Sequence, residues 1–252
     1  LWHPRQERLD AATAAHGLKG FSDWDALLAD PAVDAVIIAT PPAPRFDLAR
    51  RALEAGKHLL LEKPIALHAD QARELQRLAL ARGLSVAVDY EYRAVPLFMQ
   101  AARLLQAGAV GTPWLVKLDW LMGSRADPQR GWNWYAQADQ GGGVIGALGT
   151  HAMDMLAWLI GPLGSVQALN SVSIKQRPHP DGGLAAVDAS DVSLLQTVAH
   201  WQGRQDLPVP AQVSLSSVSR NGRGFCLDVV GSSGSLLLSS TNQKDYVHGF
   251  EI

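Results

Sequence analysis

The sequence of residues 34–42 is DAVIIATPP, an unbroken apolar run that ends at a threonine and two prolines. A continuous apolar run is typical of a parallel strand that is covered on both faces. Proline fixes its own backbone and has no N–H group, so Pro41 and Pro42 end the strand sharply. We therefore expect a buried parallel strand here, with Thr40-Pro41-Pro42 at its carboxyl end.

The same arrangement recurs twice further along the chain. An apolar run at residues 59–61 ends at Glu62-Lys63-Pro64, and another at 84–88 ends at Asp89-Tyr90. Predicted helices precede or separate these runs, at residues 5–16, 23–29, 44–55 and 70–82. Alternating strands and helices with short connections predict an α/β fold with a doubly wound parallel sheet. Because ligands bind outside the carboxyl ends of such strands, the three strand ends are expected to line one cleft.

The pattern changes after residue 90, where strands follow one another without intervening helices. Helices are predicted at 96–107 and 150–160, strands at 113–121, 164–174, 190–200, 211–218, 225–230 and 235–239, and a surface loop at 176–189. This order predicts an α+β domain with a large, mainly antiparallel open sheet. The predicted domains are residues 1–90 and 91–252.

Composition excludes several classes of protein. The chain has 252 residues, a net charge of −2 and one cysteine, Cys226. No run of Lys or Arg offers a surface to nucleic acid or to an anionic membrane, and no apolar stretch approaches the ~18 residues of a membrane span. A single cysteine excludes a disulfide framework and a Cys-based zinc site within the chain, which suits a reducing cytosol. We expect a cytoplasmic protein and assign no metal ligand.

The two ends of the sequence are unlike those of a whole protein. The chain begins at Leu1 without an initiator Met or a signal-peptide pattern, and it stops in a strand-like segment at residues 250–252. We therefore expect an internal piece of a longer chain.

Lys63 is the first candidate for chemistry. It follows a buried strand, and it lies between Glu62 and a proline that restricts its backbone. A lysine in low-dielectric surroundings can act as a general acid or base, or can hold a substrate hydroxyl. The alternative is a surface lysine that pairs with Glu62, and the local sequence leaves both interpretations open.

His151 is the second candidate. It follows a glycine-rich stretch and is predicted in the first turn of a helix, where the helix dipole favours a neutral imidazole that can exchange a proton with a substrate. The i, i+3, i+7 spacing places His151, Asp154 and Trp158 on one helix face. The alternative is a histidine at the helix N-terminus that is capped by Asp154.

Together these motifs resemble those of the glucose–fructose oxidoreductase, inositol dehydrogenase and MocA (Gfo/Idh/MocA) family. The segments that carry the resemblance, in the family's order and spacing, are 34–42 (DAVIIATPP), 52–64 (ALEAGKHLLLEKP), 92–96 (YRAVP), 108–111 (GAVG), 141–143 (GGG) and 149–154 (GTHAMD). The resemblance implies a Rossmann-like domain that binds NAD or NADP, followed by a domain whose open sheet covers the active site. It also implies hydride transfer between a nicotinamide and a hydroxyl-bearing carbon of a sugar or polyol.

The resemblance also implies roles for individual residues. Lys63 would lie between nicotinamide and substrate, and His151 would be the acid/base on the reacting hydroxyl. The residues that would line the nicotinamide and its ribose are Thr40, Pro41, Pro42 and Glu62. The substrate side would consist of Arg93, Trp134 and His151. Taken alone, Arg93 is more often a solvated residue and Trp134 a core or interface aromatic.

Three features depart from the family pattern. The family opens with a strand and a G-x-G-x-x-G turn that holds the pyrophosphate, and no segment here matches it, so we expect roughly 30 residues of a βαβ unit to be absent. Ala147 stands four residues before the histidine, where many members carry Asp; Asp154, one turn beyond His151, remains to orient it. Arg45 stands where a histidine is common.

The choice of cofactor depends on the end of the second strand of the dinucleotide-binding fold. An acidic residue there would hydrogen-bond the ribose hydroxyls of NAD. Here the neighbourhood contains His3 and Arg5, with no acid before Glu7, and these two side chains could hold a 2′-phosphate. The sequence therefore favours NADP over NAD.

Two functions are compatible with the sequence. The first is an active NAD(P)-dependent sugar or polyol oxidoreductase, and the second is a non-catalytic dinucleotide-binding regulator or scaffold of the same fold. Lys63 and His151 favour the enzyme, whereas Ala147 favours the regulator. In either case an open sheet has an outer face to cover, so we expect a homodimer or homotetramer through the strands beyond residue 160.

Overall fold

A computed structural model describes residues 1–242 and 249–252 of the chain. The chain divides into two compact units, Leu1–Asp89 (unit 1) and Tyr90–Ile252 (unit 2). In the part of the chain that the structure describes, no helix is both long enough and apolar enough to cross a membrane.

Unit 1 contains a parallel sheet of three strands, β1 (Ala35–Ile38), β2 (His58–Glu62) and β3 (Val86–Asp89), in the order β1-β2-β3. Ile38 lies opposite Leu61 in the register, and Glu62 lies opposite Asp89. All three carboxyl ends therefore meet at one edge of the sheet. The predicted parallel sheet is confirmed.

Four helices connect or flank these strands, namely α1 (Gln6–His16), α2 (Trp24–Ala29), α3 (Pro42–Glu54) and α4 (Ala69–Arg82). Helices α1 and α4 end where sequence analysis places their ends, because Gly17 and Gly83 adopt the left-handed conformation at φ 64°. Helix α3 begins two residues earlier than predicted, since a proline in the first turn needs no N–H partner and has a helical φ.

The prediction that both faces of β1 are covered is wrong within unit 1. Val36 and Ile38 are buried in the core of the unit, but Ile37 between them is 72% exposed. Alternate residues of a strand point to opposite faces, so one face of β1 is open. The sequence of the strand could not show this. An apolar run indicates that a strand tends to be buried, but it does not indicate which elements cover each face.

Unit 2 contains a mixed sheet of six strands within the described residues, namely β4 (Pro113–Leu121), β5 (Leu163–Ser171), β8 (Val192–His200), β9 (Pro208–Ser216), β10 (Gly224–Gly231) and β11 (Ser235–Ser240). Their order in the sheet is β11-β10-β4-β9-β8-β5. Every neighbouring pair is antiparallel except β4 and β9. The predicted large and mainly antiparallel sheet is confirmed.

Two helices, α5 (Pro96–Gln106) and α6 (Thr150–Leu159), share one hydrophobic core with this sheet. Phe98 and Leu105 of α5 and Met155 and Leu156 of α6 are almost completely buried in that core. At roughly 1.5–3 kcal/mol for each large apolar side chain, this core is the main stabilising contribution to unit 2.

The stretch 176–189 is more ordered than the predicted surface loop. It forms a small hairpin of β6 (Gln176–Pro178) and β7 (Leu184–Ala186). Arg177 is buried there and donates to the carbonyl oxygens of Arg125 at 2.7 Å and Asp127 at 2.8 Å. Because these acceptors lie 50 or more residues away, the local sequence gave no sign that the hairpin is tied down.

Candidate active site

The carboxyl edge of the sheet in unit 1 brings several of the predicted residues together. Lys63 is half-buried directly after β2, and its backbone N–H donates to Glu62 Oε2 at 3.0 Å. Thr40 follows β1, the neighbour of β2, and Asp89 ends β3 opposite Glu62. The polar residues that sequence analysis selected at separate strand ends therefore share one edge.

Arg45 is the residue at this edge whose effect could not be assigned from the sequence. Its side chain is only 2% exposed, and its guanidinium donates to the carbonyl oxygens of Thr40 and Pro64. Burial lowers the pKa of Arg45 to about 10, and the negative charge of Glu62 opposes that shift. The sequence contained an indication that these carbonyls need a side-chain donor, because the neighbouring prolines have no N–H groups.

A groove of about 660 Å³ lies beside the open face of β1. Its walls are largely apolar and include Trp2, His3, Ile37, Thr40 and Pro41. The hydroxyl of Thr40 is buried and has no hydrogen-bond partner among the residues that the structure describes. The structure thus places His3 on the same groove as Thr40 and Pro41.

His3 and Arg5 are joined by the local backbone. The N–H of Arg5 donates to His3 Nδ1 at 3.0 Å, and α1 begins at the next residue. The side chain of Arg5 is exposed. One ring nitrogen of His3 is therefore engaged within the chain, whereas the Arg5 guanidinium faces solvent.

His151 in unit 2 is 3% exposed and lies among aromatic rings. Its ring centroid is 5.0 Å from that of Tyr92, 5.7 Å from that of Tyr90 and 6.1 Å from that of Trp120. Its Nε2 atom is 3.6 Å from Oε1 of Glu91, whose side chain is 44% exposed. Sequence analysis found the histidine but missed Glu91, although its place directly before the Tyr92-Arg93 motif was a usable signal.

The environment of His151 differs from a helix N-terminus. A π-helical turn, Ile145–Gly149, runs without a break into α6, and the preceding Val144 is also helical. His151 is therefore inside a continuous helix, and the helix-dipole argument for a neutral imidazole does not apply. Single π-turns often mark functional positions, and this one contains Ala147.

Asp154 has a different partner from the expected one. Its carboxylate accepts from Arg93 Nε at 2.8 Å and from Arg93 Nη2 at 2.6 Å, so the carboxylate that was expected to orient His151 instead holds a guanidinium. The bidentate geometry explains the outcome, because the planar fork of arginine matches both carboxylate oxygens. This pairing raises the pKa of Arg93, which also lies 5.5 Å from the ring of Trp158.

A cavity of about 510 Å³ in unit 2 is lined by Tyr90, Thr150, Met153, Asp154 and other residues, most of them apolar. Burial raises the pKa of the Tyr90 phenol, and the charge of Asp154 raises it further. The phenol therefore stays protonated at neutral pH and can donate a hydrogen bond. Trp134 is not among the residues that line this cavity; it begins a short 3₁₀ helix, Trp134–Ala136, with its ring centroid 5.9 Å from that of Tyr135.

Comparisons with known proteins agree with this architecture. The model of the oxidoreductase family with an NAD-binding Rossmann fold matches residues 1–90, and that of the GFO/IDH/MocA C-terminal domain matches residues 98–237. The two matched domains define an oxidoreductase-type α/β protein with a dinucleotide-binding fold. The chain belongs to the Gfo/Idh/MocA family, which confirms the resemblance inferred from its motifs.

Individual relatives support this assignment. An uncharacterized oxidoreductase of Synechocystis sp. is 46% identical over 235 residues, which are 92% of this chain and 62% of the relative. Levoglucosan dehydrogenase of Pseudarthrobacter phenanthrenivorans is 31% identical over 66% of this chain and 43% of its own length. A solved structure of levoglucosan dehydrogenase with NADH and L-sorbose matches with a TM-score of 0.85 and 26% identity, over 94% of this chain and 63% of that one. The chain thus spans less than two thirds of each of these relatives.

Proposed function

We propose that this chain belongs to an NAD(P)-dependent oxidoreductase that transfers a hydride between a nicotinamide and the hydroxyl or carbonyl carbon of a sugar or polyol. The observation that carries the proposal is the fixed Glu62-Lys63-Pro64 turn at the carboxyl edge of the parallel sheet. Ligands of open parallel sheets bind outside this edge, so Lys63 is placed where a bound cofactor and substrate would meet it. The similarity to levoglucosan dehydrogenase, solved with NADH and a sugar, favours the substrate class.

The strand ends of unit 1 supply part of a site for the nicotinamide end of a dinucleotide. At the carboxyl edge of the sheet, the buried hydroxyl of Thr40 has no hydrogen-bond partner among the described residues and could bind the cofactor. Pro41, Pro42 and Glu62 would border the nicotinamide and its ribose. When bound, the nicotinamide supplies the hydride chemistry.

The side chains would divide the remaining work. Lys63 would hold the reacting hydroxyl and help to move its proton, and His151 would be the acid/base residue. Glu91, 3.6 Å from His151 Nε2, is the carboxylate best placed to support it in the absence of an acid at position 147. Arg93, fixed by Asp154, and Trp134 would contact the polar and flat faces of a sugar.

We propose NADP as the preferred dinucleotide, because the Arg5 guanidinium is exposed near the groove-lining His3 and could hold a 2′-phosphate. In the intact protein, Arg5→Ala should weaken NADP binding about tenfold and leave NAD binding unchanged. The matched control is Arg8→Ala, an exposed arginine in the first turn of α1. Tighter binding of NAD than of NADP by the unmodified protein would overturn the preference.

The function itself is tested by nicotinamide absorbance at 340 nm, in a screen of the intact protein with NAD and NADP against sugars, polyols and their oxidised forms. An oxidoreductase should change the absorbance with at least one substrate of this class. A regulator of the same fold would bind the dinucleotide and change nothing, and that result would replace the proposed function.

We further propose that the sheet of unit 2 pairs with a second copy of the chain. Leu169, Leu194 and Leu237 are exposed on it, and strand register places Leu194 beside Leu169 on the face opposite the helices. The double change Leu169→Glu with Leu194→Glu should convert a dimer or tetramer to a monomer, since burying the added carboxylates is costly. Leu80→Glu on α4 is a matched exposed control. A monomeric mass for the unmodified protein at micromolar concentration would refute the proposal.

A further inference from the structure

The ends of β1 and β2 share a shortage of hydrogen-bond donors. The ladder between the two strands stops at the pair Ile38 and Leu61, and the chain then turns away at Thr40 and at Pro64. Pro41, Pro42 and Pro64 have no N–H groups, so the backbone around both turns offers few donors to their carbonyl oxygens. A side-chain donor is therefore needed if the two turns are to be held together.

Arg45 supplies those donors. From the first turn of α3 its Nη1 donates to the oxygen of Pro64 and its Nη2 to the oxygen of Thr40. The guanidinium thereby continues the connection between β1 and β2 beyond the last ladder pair. A planar fork with several fixed donors can span two carbonyls, whereas a lysine ammonium would act as a single point.

Burying the Arg45 guanidinium costs free energy, which makes it an unfavourable choice for a purely structural link. The guanidinium is removed from water, and its two hydrogen-bond acceptors are neutral carbonyls rather than a carboxylate. Arg50 and Arg51 on the same helix are more exposed and pair with acidic side chains on the surface. Unlike Arg50 and Arg51, Arg45 therefore has a buried position that surface ion pairs do not explain.

We propose that Arg45 is a positioning residue for Lys63, which it acts on by locking the Glu62-Lys63-Pro64 turn to the Thr40-Pro41-Pro42 turn. Lys63 is held on both sides: its own N–H is bound by Glu62 Oε2, and the carbonyl of the following residue is bound by Arg45. A shift of about 1 Å in a catalytic group can cost about 100-fold in rate, so such a lock has a catalytic consequence. The inference rests on the proposed oxidoreductase function.

The first test does not require activity. In the intact protein, Arg45→Met should speed amide hydrogen exchange in peptides that cover residues 59–67 by about tenfold, because it removes two charge-assisted hydrogen bonds. Arg50→Met, on the same helix, is the matched control and should leave that exchange unchanged. If Arg45→Met fails to fold, Arg45→Lys, which keeps the charge but lacks the planar fork that spans both carbonyls, should show a smaller increase. Unchanged exchange in a folded Arg45 variant would overturn the inference.

The second test is kinetic. The folded Arg45 variant should lower kcat about 10–100-fold, with a dissociation constant for the dinucleotide within about threefold of the original. Arg45→His, which restores the residue common in the family, should recover part of the loss. Faster exchange with unchanged kcat would refute the positioning role. If the unmodified protein turned over no sugar or polyol, the proposed function would be overturned, and with it the positioning role of Arg45. The hydrogen-exchange result would still decide whether Arg45 holds the turn.

Discussion

Replacing Lys63 by alanine is expected to lower kcat about 10²–10⁴-fold while the intact protein still binds its dinucleotide. The reason is the location of Lys63, half-buried at the carboxyl edge of the sheet and fixed through its own backbone by Glu62. Removing its amine should delete proton handling at the reacting hydroxyl without disturbing Thr40, Pro41 and Pro42, which would border the nicotinamide. Steady-state kinetics and calorimetric binding of the dinucleotide measure the two quantities separately.

The control for this change is Lys19→Ala, which removes an exposed lysine of the same unit that pairs with Asp30. It should leave kcat unchanged. Lys63→Arg tests whether positive charge alone suffices; because a guanidinium does not lose its proton at neutral pH, it should remain strongly impaired. Full turnover by Lys63→Ala would remove the lysine from the mechanism and would favour a role at the surface.

The sequence predicted the parts of the fold that depend on local pattern. The three strand ends of unit 1, the caps at Gly17 and Gly83 and the limits of β4 all follow from apolar runs interrupted by proline, glycine or charge. Such signals are contained within a few residues, and they are sufficient to place Lys63 at a sheet edge.

The errors concern features that distant residues determine. The open face of β1 depends on which elements lie over Ile37, and the hairpin at 176–186 depends on Arg177 and carbonyls some 50 residues away. The partner of Asp154 is Arg93, 61 residues earlier, and i, i+3 spacing could not reveal it. The π-turn before α6 was equally hidden, because its glycines are also compatible with an ordinary loop.

Replacing His151 by asparagine is also expected to lower kcat about 10²–10⁴-fold with dinucleotide binding retained. Asparagine keeps polar atoms in a side chain that must remain among Tyr90, Tyr92 and Trp120, but it cannot exchange a proton at neutral pH. Because the site is buried, the melting temperature and circular dichroism must show that the variant is folded. His151→Gln provides a second size of side chain if asparagine leaves a cavity.

Glu91→Gln identifies the carboxylate that supports His151. Since position 147 is alanine, we expect Glu91 to take over the support, and Glu91→Gln should lower kcat by a smaller factor than His151→Asn. In the double variant the two losses should not add, because groups that act as a unit are non-additive. Asp139→Asn, an exposed acid of the same unit, is the control. Additive losses would show that Glu91 acts independently of His151. An unchanged kcat in Glu91→Gln would show that Glu91 does not support the imidazole.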